Sequence, residues 1–373
     1  MRIRAIFLLV LIIFGFVQLH AQSDIKHAVI PAIGYSSDNS FVAGGTWQMV
    51  SYIDDTSDTR PYIFLNRIQP EISILGSIAL KNVHERWLSN GDRIWSELLL
   101  MNVSNTLYFG IGNDSNFDST LWDDNYYNYG RWYISNQILY GLELNNKTSY
   151  RSELILGITS IYQHARIPEE SFITEFPPNN ITGGIYNRAI VGLIFDNRNN
   201  LFRPVSGLHS DVRIGLVPNF FNQNNIGLYI QGTISTYKEF DIFLPLVLAT
   251  RLKYEQVTST TAYYALPSLG GPDTIRGFPF ERFRDNGYVL ANIELRTWLF
   301  SLPFWEIEVG GQFFADAGRV FEKPGIDALT ENYKMSWGIG GIMAILNPDF
   351  LVRGDLGFSN EMFRINVGVG YLF

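Results

Sequence analysis

The chain of 373 residues has no cysteine, and only 17% of its residues are charged. The lack of cysteine excludes disulfides, thiolate metal sites, catalytic thiols and the lipid-attachment cysteine of a lipoprotein. With 28 basic against 36 acidic residues, the chain also lacks the basic excess that nucleic-acid binding requires. No histidine lies in a metal-spaced pair or beside a nucleophile motif. The sequence therefore predicts no catalytic residue, no enzyme activity, no metal or other cofactor, and no nucleic-acid partner.

The first residues have the pattern of a signal peptide. Two arginines precede an apolar stretch, Ala5–Val17, and residues 19–21 read Leu-His-Ala, which resembles a cleavage site. The apolar stretch is shorter than the roughly 20 residues that a membrane-spanning helix needs. We therefore expect residues 1–21 to be a cleaved signal peptide and residues 22–373 to form the mature domain.

Apolar residues alternate with other residues along much of the mature chain, most clearly at its end. Every second residue from Phe363 to Phe373 is apolar, and Arg364 and Asn366 are among the residues between them. A sheet face in water usually carries more lysine and glutamate. Here the second face consists of glycine, serine, asparagine, glutamine and paired charges. Because a bilayer admits strands only as closed barrels, the pattern predicts an apolar outer face against outer-membrane lipids and a polar lumen.

Sixteen segments have the length and alternation of barrel strands. They are residues 27–36, 40–53, 60–68, 71–81, 92–103, 130–145, 149–163, 184–197, 206–217, 226–238, 242–257, 288–300, 305–320, 334–346, 349–358 and 363–373. The three longest connections fall at one end if successive strands run up and down, which is the asymmetry of bacterial barrels. These connections are 104–129, 164–183 and 258–287. The sequence thus predicts an all-β fold: a 16-stranded antiparallel transmembrane β-barrel in the bacterial outer membrane, with a periplasmic amino terminus.

Three motifs in the second half of the chain are more specific. Residues 270–278 read Gly-Gly-Pro-Asp-Thr-Ile-Arg-Gly-Phe, and residues 313–320 read Phe-Phe-Ala-Asp-Ala-Gly-Arg-Val. The third motif is marked by Asp196, Arg198, Pro204 and Gly207. Together with the terminal Phe373, these motifs resemble the outer-membrane insertase and two-partner-secretion transporter superfamily, also called the bacterial surface antigen family, whose members include BamA and TamA. The specific resemblance spans residues 184–373.

The resemblance implies that a long extracellular loop folds into the lumen, where Arg276 pairs with Asp316. Gly277, Phe278 and Gly318 accompany this pair, and Gly277 is expected to let the backbone turn tightly. A charge-assisted contact would offset the entropy lost when a long loop is held in a pore. We also expect that swapping the two charges restores more than either single substitution. The alternative is that both residues are ordinary charges lining the lumen.

The resemblance further implies a weak seam between the first and last strands. Pro31 would remove a backbone donor from the first strand, and Gly368 and Gly370 would supply no packing side chain opposite it. Alternatively, Pro31 begins the strand and the glycines make room for the inserted loop. Tyr371 and Phe373 resemble the signal that barrel-assembly machinery reads during biogenesis.

The implied function is to assist insertion or export of protein or another envelope component. BamA-like members carry periplasmic POTRA modules, which do not fit into the five residues 22–26, so we expect a POTRA-less barrel. A separate periplasmic partner or a secreted substrate would then serve it. The alternative function is a passive channel or structural barrel with a plug loop.

Overall fold

Sixteen antiparallel strands close into a barrel in which neighbours in the chain are neighbours in the sheet. This architecture is seen in a computed structural model that describes residues 25–53, 60, 62–147, 150–218, 226–258, 262–302, 307–345 and 347–373. The predicted signal peptide, residues 1–21, lies outside the described residues. The predicted all-β barrel is confirmed, including its number of strands. Among the described residues, no helix has the length and apolar character that crossing a membrane would require.

The strands, in chain order, are β1 Ile25–Ser36, β2 Ser40–Ser51, β3 Phe64–Ser73, β4 Ile78–Trp87, β5 Arg93–Leu107, β6 Asn128–Lys147, β7 Tyr150–Arg166, β8 Gly183–Asp196, β9 Ser206–Val217, β10 Gly227–Asp241, β11 Pro245–Val257, β12 Ser268–Leu269, β13 Phe283–Arg284, β14 Gly287–Leu302, β15 Ile307–Phe321, β16 Lys334–Ile345, β17 Asn347–Phe358 and β18 Phe363–Val369. Strands β12 and β13 pair with each other inside the connection from β11 to β14, and the other sixteen form the barrel. Short helices lie at Ser119–Asp123, Phe172–Glu175 and Ile326–Thr330, and a 3-10 turn lies at Tyr263–Ala265.

The alternation of residue types separates an outer and an inner face. In β18, Phe363, Ile365 and Val367 are exposed on the outside, whereas Arg364 and Asn366 are buried. Successive side chains of a strand point to opposite faces, so a period of two residues is enough to produce this separation. The outer face is therefore apolar and the inner face carries the charges, as predicted.

The long connections collect at one end of the barrel, which we call the long-loop end, and the opposite end is the short-turn end. The long connections at this end are residues 108–127, 167–182, 258–286 and 322–333. Aromatic rings from the first two pack together there. The Tyr127 ring centre lies 4.6 Å from that of Phe109 and 5.1 Å from that of Phe172. Burial of these rings gives the connections a small apolar core of their own.

The third and fourth strands differ from the predicted segments. The third was expected to end at residue 68, but β3 continues through Pro70 to Ser73. Pro70 has no registered partner in β2. The N–H that proline lacks is therefore not needed for a hydrogen bond between β2 and β3. The turn forms later, around Gly76, whose φ of +81° suits glycine. The fourth strand therefore begins at Ile78, beyond the predicted start at residue 71.

Candidate functional site

The connection from β11 to β14 packs against the inner wall of the barrel, and we call residues 262–286 the lumen loop. Leu269, Ile275 and Phe278 of this loop are almost fully buried. They pack with Tyr288, Leu290 and Val320, which lie on the inner faces of β14 and β15. Phe278 also meets Phe283 edge to face, with ring centres 5.1 Å apart. This apolar burial offsets part of the entropic cost of ordering a long loop.

Arg276 of the lumen loop forms a two-pronged contact with Asp316 of β15. Its Nε donates to Asp316 Oδ2 at 2.9 Å, and its Nη2 donates to Oδ1 at 2.8 Å. The backbone N–H of Arg276 also donates to Oδ2, at 3.1 Å. The structure thus places the two residues singled out from the sequence in direct contact. The geometry uses the planar fork of the guanidinium, which an ammonium lacks.

Two further carboxylates approach Arg276, and sequence reasoning did not identify them. Glu294 Oε1 of β14 accepts from Arg276 Nη1 at 2.6 Å, and Asp355 Oδ2 of β17 lies 3.8 Å from the same nitrogen. The guanidinium carbon also lies 3.5 Å from the ring centre of Phe314. Strand alternation assigns Glu294 and Asp355 to the inner face, which is the only sequence signal for them. Together with Asp316 they converge on one arginine only because three strands and a loop are placed in this way in space.

Arginines balance the charge of these carboxylates. Arg296 Nε donates to Glu294 Oε2 at 2.8 Å, and Arg353 Nε lies 2.8 Å from Asp355 Oδ2. We call Arg276, Glu294, Arg296, Asp316, Arg353 and Asp355 the lock cluster, which contains three cations and three anions. Burial alone would lower the pKa of Arg276, but Asp316 and Glu294 hold that pKa above its usual value. Arg276 therefore stays charged throughout the physiological pH range.

Glycines allow the lumen loop to approach the wall. A Cβ on Gly277 would lie 2.7 Å from the backbone carbon of Phe358, and one on Gly357 would lie 2.8 Å from the backbone oxygen of Arg276. A Cβ on Gly318 would meet a methyl of Leu269 at 2.8 Å. Gly277 is not among the glycines with positive φ. Gly277 does lie in a tight turn, in which the Phe278 N–H donates to the Ile275 oxygen at 3.3 Å, but this turn needs no positive φ, so what glycine provides is space between two backbones.

The seam between the first and last strands is short. β1 and β18 are in register at Ser36 and Asn366, where Ser37 N also donates to Ile365 O at 3.0 Å. By contrast, β1 pairs with β2 over its whole length. The seam pairing lies at the long-loop end. Within the described residues of both strands, residues 25–35 of β1 have no registered partner in β18.

Of the residues expected at the seam, Pro31 lies in the part of β1 that has no partner in β18, whereas Gly368 pairs with β17. Pro31 lies inside β1, opposite Gly45 of β2, so the alternative that it begins the strand is wrong. It belongs to the part of β1 without a partner in β18, where a missing N–H costs little. Gly368 is opposite Arg353 of β17, and the nearest atom to a Cβ there would be Arg353 Nη2, at 3.6 Å. Space for the lumen loop therefore does not explain this glycine.

A polar cluster, which we call the clasp, ties the long-loop end of the seam together. Arg364 of β18 forms an ion pair with Asp38 in the turn between β1 and β2. Asp38 Oδ1 also accepts from the backbone N–H of Phe280 in the lumen loop at 3.3 Å, and the Asp38 backbone oxygen accepts from Asn105 Nδ2 at 2.5 Å. Asp38 thus connects the first turn, the last strand and the lumen loop. None of these links was predicted, because no motif marks Asp38.

The last residues turn into the lumen, so the predicted strand 363–373 is too long. β18 ends at Val369, and Gly370 has a φ of +80°, which glycine adopts without strain. Arg296 lies 3.9 Å from the ring centre of Tyr371, and its Nη2 donates to the backbone oxygen of Phe373 at 2.9 Å. Tyr371 and Phe373 therefore face lumen side chains rather than lipid. Their role as an assembly signal stays a prediction.

The third motif lies at the short-turn end of the barrel. Asp196 ends β8 and Gly207 lies near the start of β9, with Arg198 and Pro204 in the turn between them. Among the residues that the structure describes, no group of three or more histidine, aspartate or glutamate side chains is placed to hold a metal ion.

Comparison with solved structures gives barrels of the same fold. BamA from Haemophilus ducreyi lacking POTRA domains 1–3 is 14% identical, with a TM-score of 0.58, over 93% of this chain and 71% of that chain. CdiB from Acinetobacter baumannii is 8% identical (TM-score 0.58; 94% and 66% covered), and CdiB from Escherichia coli is 10% identical (TM-score 0.61; 94% and 68% covered). This chain thus spans about two thirds of the length of these structures. No curated protein sequence matches it.

A family is indicated by the amino-acid sequence as well as by the fold. The profile of the Omp85 superfamily domain matches residues 103–373, which is most of the chain. The match extends the resemblance well before residue 184, where the specific motifs begin. With the barrel and the sequence match in agreement, the chain belongs to the Omp85 superfamily.

Proposed function

We propose that this chain is an outer-membrane protein that assists the insertion or export of protein or another envelope component, and that its seam is the part that opens. The observation that carries the proposal is the short register between β1 and β18. Unpaired backbone groups on a strand edge are a template for another strand. Residues 25–35 of β1 therefore offer a substrate strand a place to pair. A separate periplasmic partner, or the secreted substrate itself, would supply that strand.

The contents of the lumen support this proposal over a passive channel. Arg276, Glu294 and Asp316 are fully or almost fully buried, and the backbone oxygen of Phe373 accepts from the neighbouring Arg296. In an open aqueous channel such charges would be hydrated. The lumen loop, held by the lock cluster, thus supports a closed resting state, in which transport requires a rearrangement of the loop or of the seam.

The proposed location predicts an integral outer-membrane protein with a periplasmic amino terminus. Purified outer membranes should contain the protein in a form whose gel migration changes on heating, as closed barrels do before and after denaturation. A protease-cleavable tag inserted at Asn179, which is exposed at the long-loop end, should be cut in intact cells. Recovery in the soluble periplasmic fraction, or a tag protected in intact cells, would contradict the location or the orientation.

The seam is tested by closing it with a disulfide. A Cβ on Gly34 would lie 3.8 Å from Cβ of Val367, a separation typical of disulfides, and the chain contains no cysteine that could interfere. We expect the oxidised Gly34→Cys/Val367→Cys variant in vesicles to lose most of its ability to accelerate folding of a urea-denatured barrel protein. Reduction should restore this ability.

In the matched control, the second cysteine is placed in β2, the strand that pairs with β1 on the side away from β18. Val42 is opposite Gly34 in the hairpin of β1 and β2, so Gly34→Cys/Val42→Cys joins strands that already pair along their length. This disulfide should leave activity unchanged. If the oxidised seam variant is as active as its reduced form, the seam does not open during function, and a passive barrel becomes the better explanation.

A further inference from the structure

The third sequence motif builds a rigid turn between β8 and β9, and the proposed function makes no use of it. Arg198 Nε and Nη2 donate to the two carboxylate oxygens of Asp196, at 2.9 and 2.6 Å. Asn199 Oδ1 accepts from the backbone N–H groups of Val205 and Ser206, both at 3.0 Å. Nearby, Asn200 Oδ1 accepts two more backbone N–H groups, at 2.7 and 2.8 Å. Side chains thus satisfy the backbone donors of the turn and fix its shape.

The base of this turn depends on a glycine. Gly207 has a φ of +110°, and a Cβ there would lie 2.5 Å from the backbone oxygen of Asn197. Asn197 also accepts the backbone N–H of Leu208 through its side chain, at 2.5 Å. The chain therefore enters and leaves the turn at a fixed angle, set by the motif residues themselves.

The turn reaches across the short-turn mouth of the barrel. β8 and β9 are the eighth and ninth of the sixteen barrel strands, so β1 and β18 lie on the opposite wall. Residues 198–202 nevertheless line a cavity of about 470 Å³ together with side chains of that opposite wall. Those side chains include Thr46 and Val50 of β2, Leu65 of β3, Leu351 of β17 and Val369 of β18.

The far side of the turn contacts β14 and β15. Arg203 Nη2 donates to Glu308 Oε2 at 2.7 Å, and the Arg203 guanidinium lies 4.1 Å from the ring centre of Trp298. A second cavity, of about 310 Å³, lies between the turn and this wall, and Asn199, Arg203, Trp298 and Tyr371 are among its lining residues. The turn therefore lies between two cavities at the mouth instead of extending away from the barrel.

We propose that residues 197–205 are a lid that closes the short-turn mouth and that the contact of Arg203 with Glu308 and Trp298 holds it shut. The turn is internally rigid and joins its strands at a fixed angle, so it moves as one piece together with the ends of β8 and β9. By comparison, the contact that attaches the turn to β14 and β15 is weak. The Arg203 and Glu308 side chains are 19% and 35% exposed, and ion pairs with this much access to water contribute little. The lid is thus built to open, whereas the lock cluster, whose charged side chains are almost fully buried, is built to hold.

The lid is tested by labelling a cysteine placed behind it. Thr46 is buried, lines the cavity beneath the lid and is close in size to cysteine, so Thr46→Cys gives one reporter thiol in a chain that has none. In vesicles, a bulky maleimide added at the short-turn side should label this thiol slowly. Adding Arg203→Glu, which places two carboxylates together, should speed labelling about fivefold, the change that corresponds to roughly 1 kcal/mol.

The double variant Arg203→Glu/Glu308→Arg should return labelling to the slow rate, because the two charges attract again. The control is Lys81→Glu, which breaks the partly exposed ion pair of Lys81 with Glu97 on the wall, away from the turn, and should leave labelling unchanged. Equal labelling rates with and without Arg203→Glu, in protein that keeps its heat-modifiable migration, would overturn the lid. Glu308→Gln, which removes the carboxylate charge at the same contact, should also speed labelling, and no change there would count against the lid as well. These measurements need no insertion activity, so they are independent of the seam test.

Discussion

Arg276→Ala is expected to free the lumen loop, raising single-channel conductance or its noise and exposing residues 270–280 to protease at the long-loop end. The substitution leaves three buried carboxylates facing only two arginines of the lock cluster. Removing one partner of a buried ion pair typically costs about 3–5 kcal/mol, because the remaining charge is uncompensated. Arg276→Lys should rescue only in part, since an ammonium keeps the charge but cannot make the two-pronged contact.

Two related variants test which carboxylates Arg276 depends on. Asp316→Ala should have a smaller effect than Arg276→Ala, because Arg276 keeps Glu294 as a partner at 2.6 Å. The charge swap Arg276→Asp/Asp316→Arg, which the sequence alone favours as a rescue, should fail. An aspartate at position 276 would face Glu294 and Asp355 at close range, and like charges repel.

The matched control is another inner arginine with a two-pronged carboxylate contact. Arg213 on β9 donates to the two oxygens of Asp211 at 2.8 and 2.6 Å, and this pair belongs to the strand wall rather than to the lumen loop. Arg213→Ala should leave the protease sensitivity of residues 270–280 unchanged. If Arg276→Ala also leaves conductance and protease sensitivity as in the wild type, the lock cluster does not hold the loop.

Arg364→Ala is expected to open the seam from the long-loop end. Arg364 is 3% exposed, and its loss removes the charge that compensates Asp38 in the clasp. The remaining backbone contacts at Ser36 and Ser37 are few, so the first and last strands should separate more often. The measurement is the rate of disulfide formation in the Gly34→Cys/Val367→Cys pair. That rate should fall as the open fraction of the seam rises, and about 1.4 kcal/mol lost from the clasp shifts the ratio of closed to open seam roughly tenfold.

Lys334→Ala is the control for the clasp. Lys334 pairs with Asp114 at the long-loop end, at 3.3 Å, but does not touch the seam, so its loss should not slow the disulfide. An unchanged rate in Arg364→Ala would mean that the clasp does not hold the strands together. Because Asp38 also accepts from Phe280 of the lumen loop, Arg276→Ala should slow the same disulfide if the loop and the seam are connected.

The sequence identified some residues of the candidate site and missed others. Arg276 and Asp316 were accessible because each stands in a motif that resembles a known family. Glu294 and Asp355 stand in no such motif, and strand alternation says only that they face inward. Asp38 is a single acidic residue in a short turn, and its contacts to Arg364 and Phe280 join segments far apart in the chain. Contacts of this kind depend on barrel closure, which no local pattern records.

The sequence by itself determined the all-β barrel, its sixteen strands, its two faces and the asymmetry of its ends. These features follow from local chemistry: a two-residue period sets the faces, and the spacing between periodic segments sets the strands and loops. Only the tertiary structure decided the length of the seam, the turn of Tyr371 and Phe373 into the lumen, and the path of residues 197–205 across the mouth. Each of these depends on the register of distant strands or on one glycine dihedral angle. The same two-residue alternation is compatible with different strand registers and different turn paths, so it does not determine which of them forms.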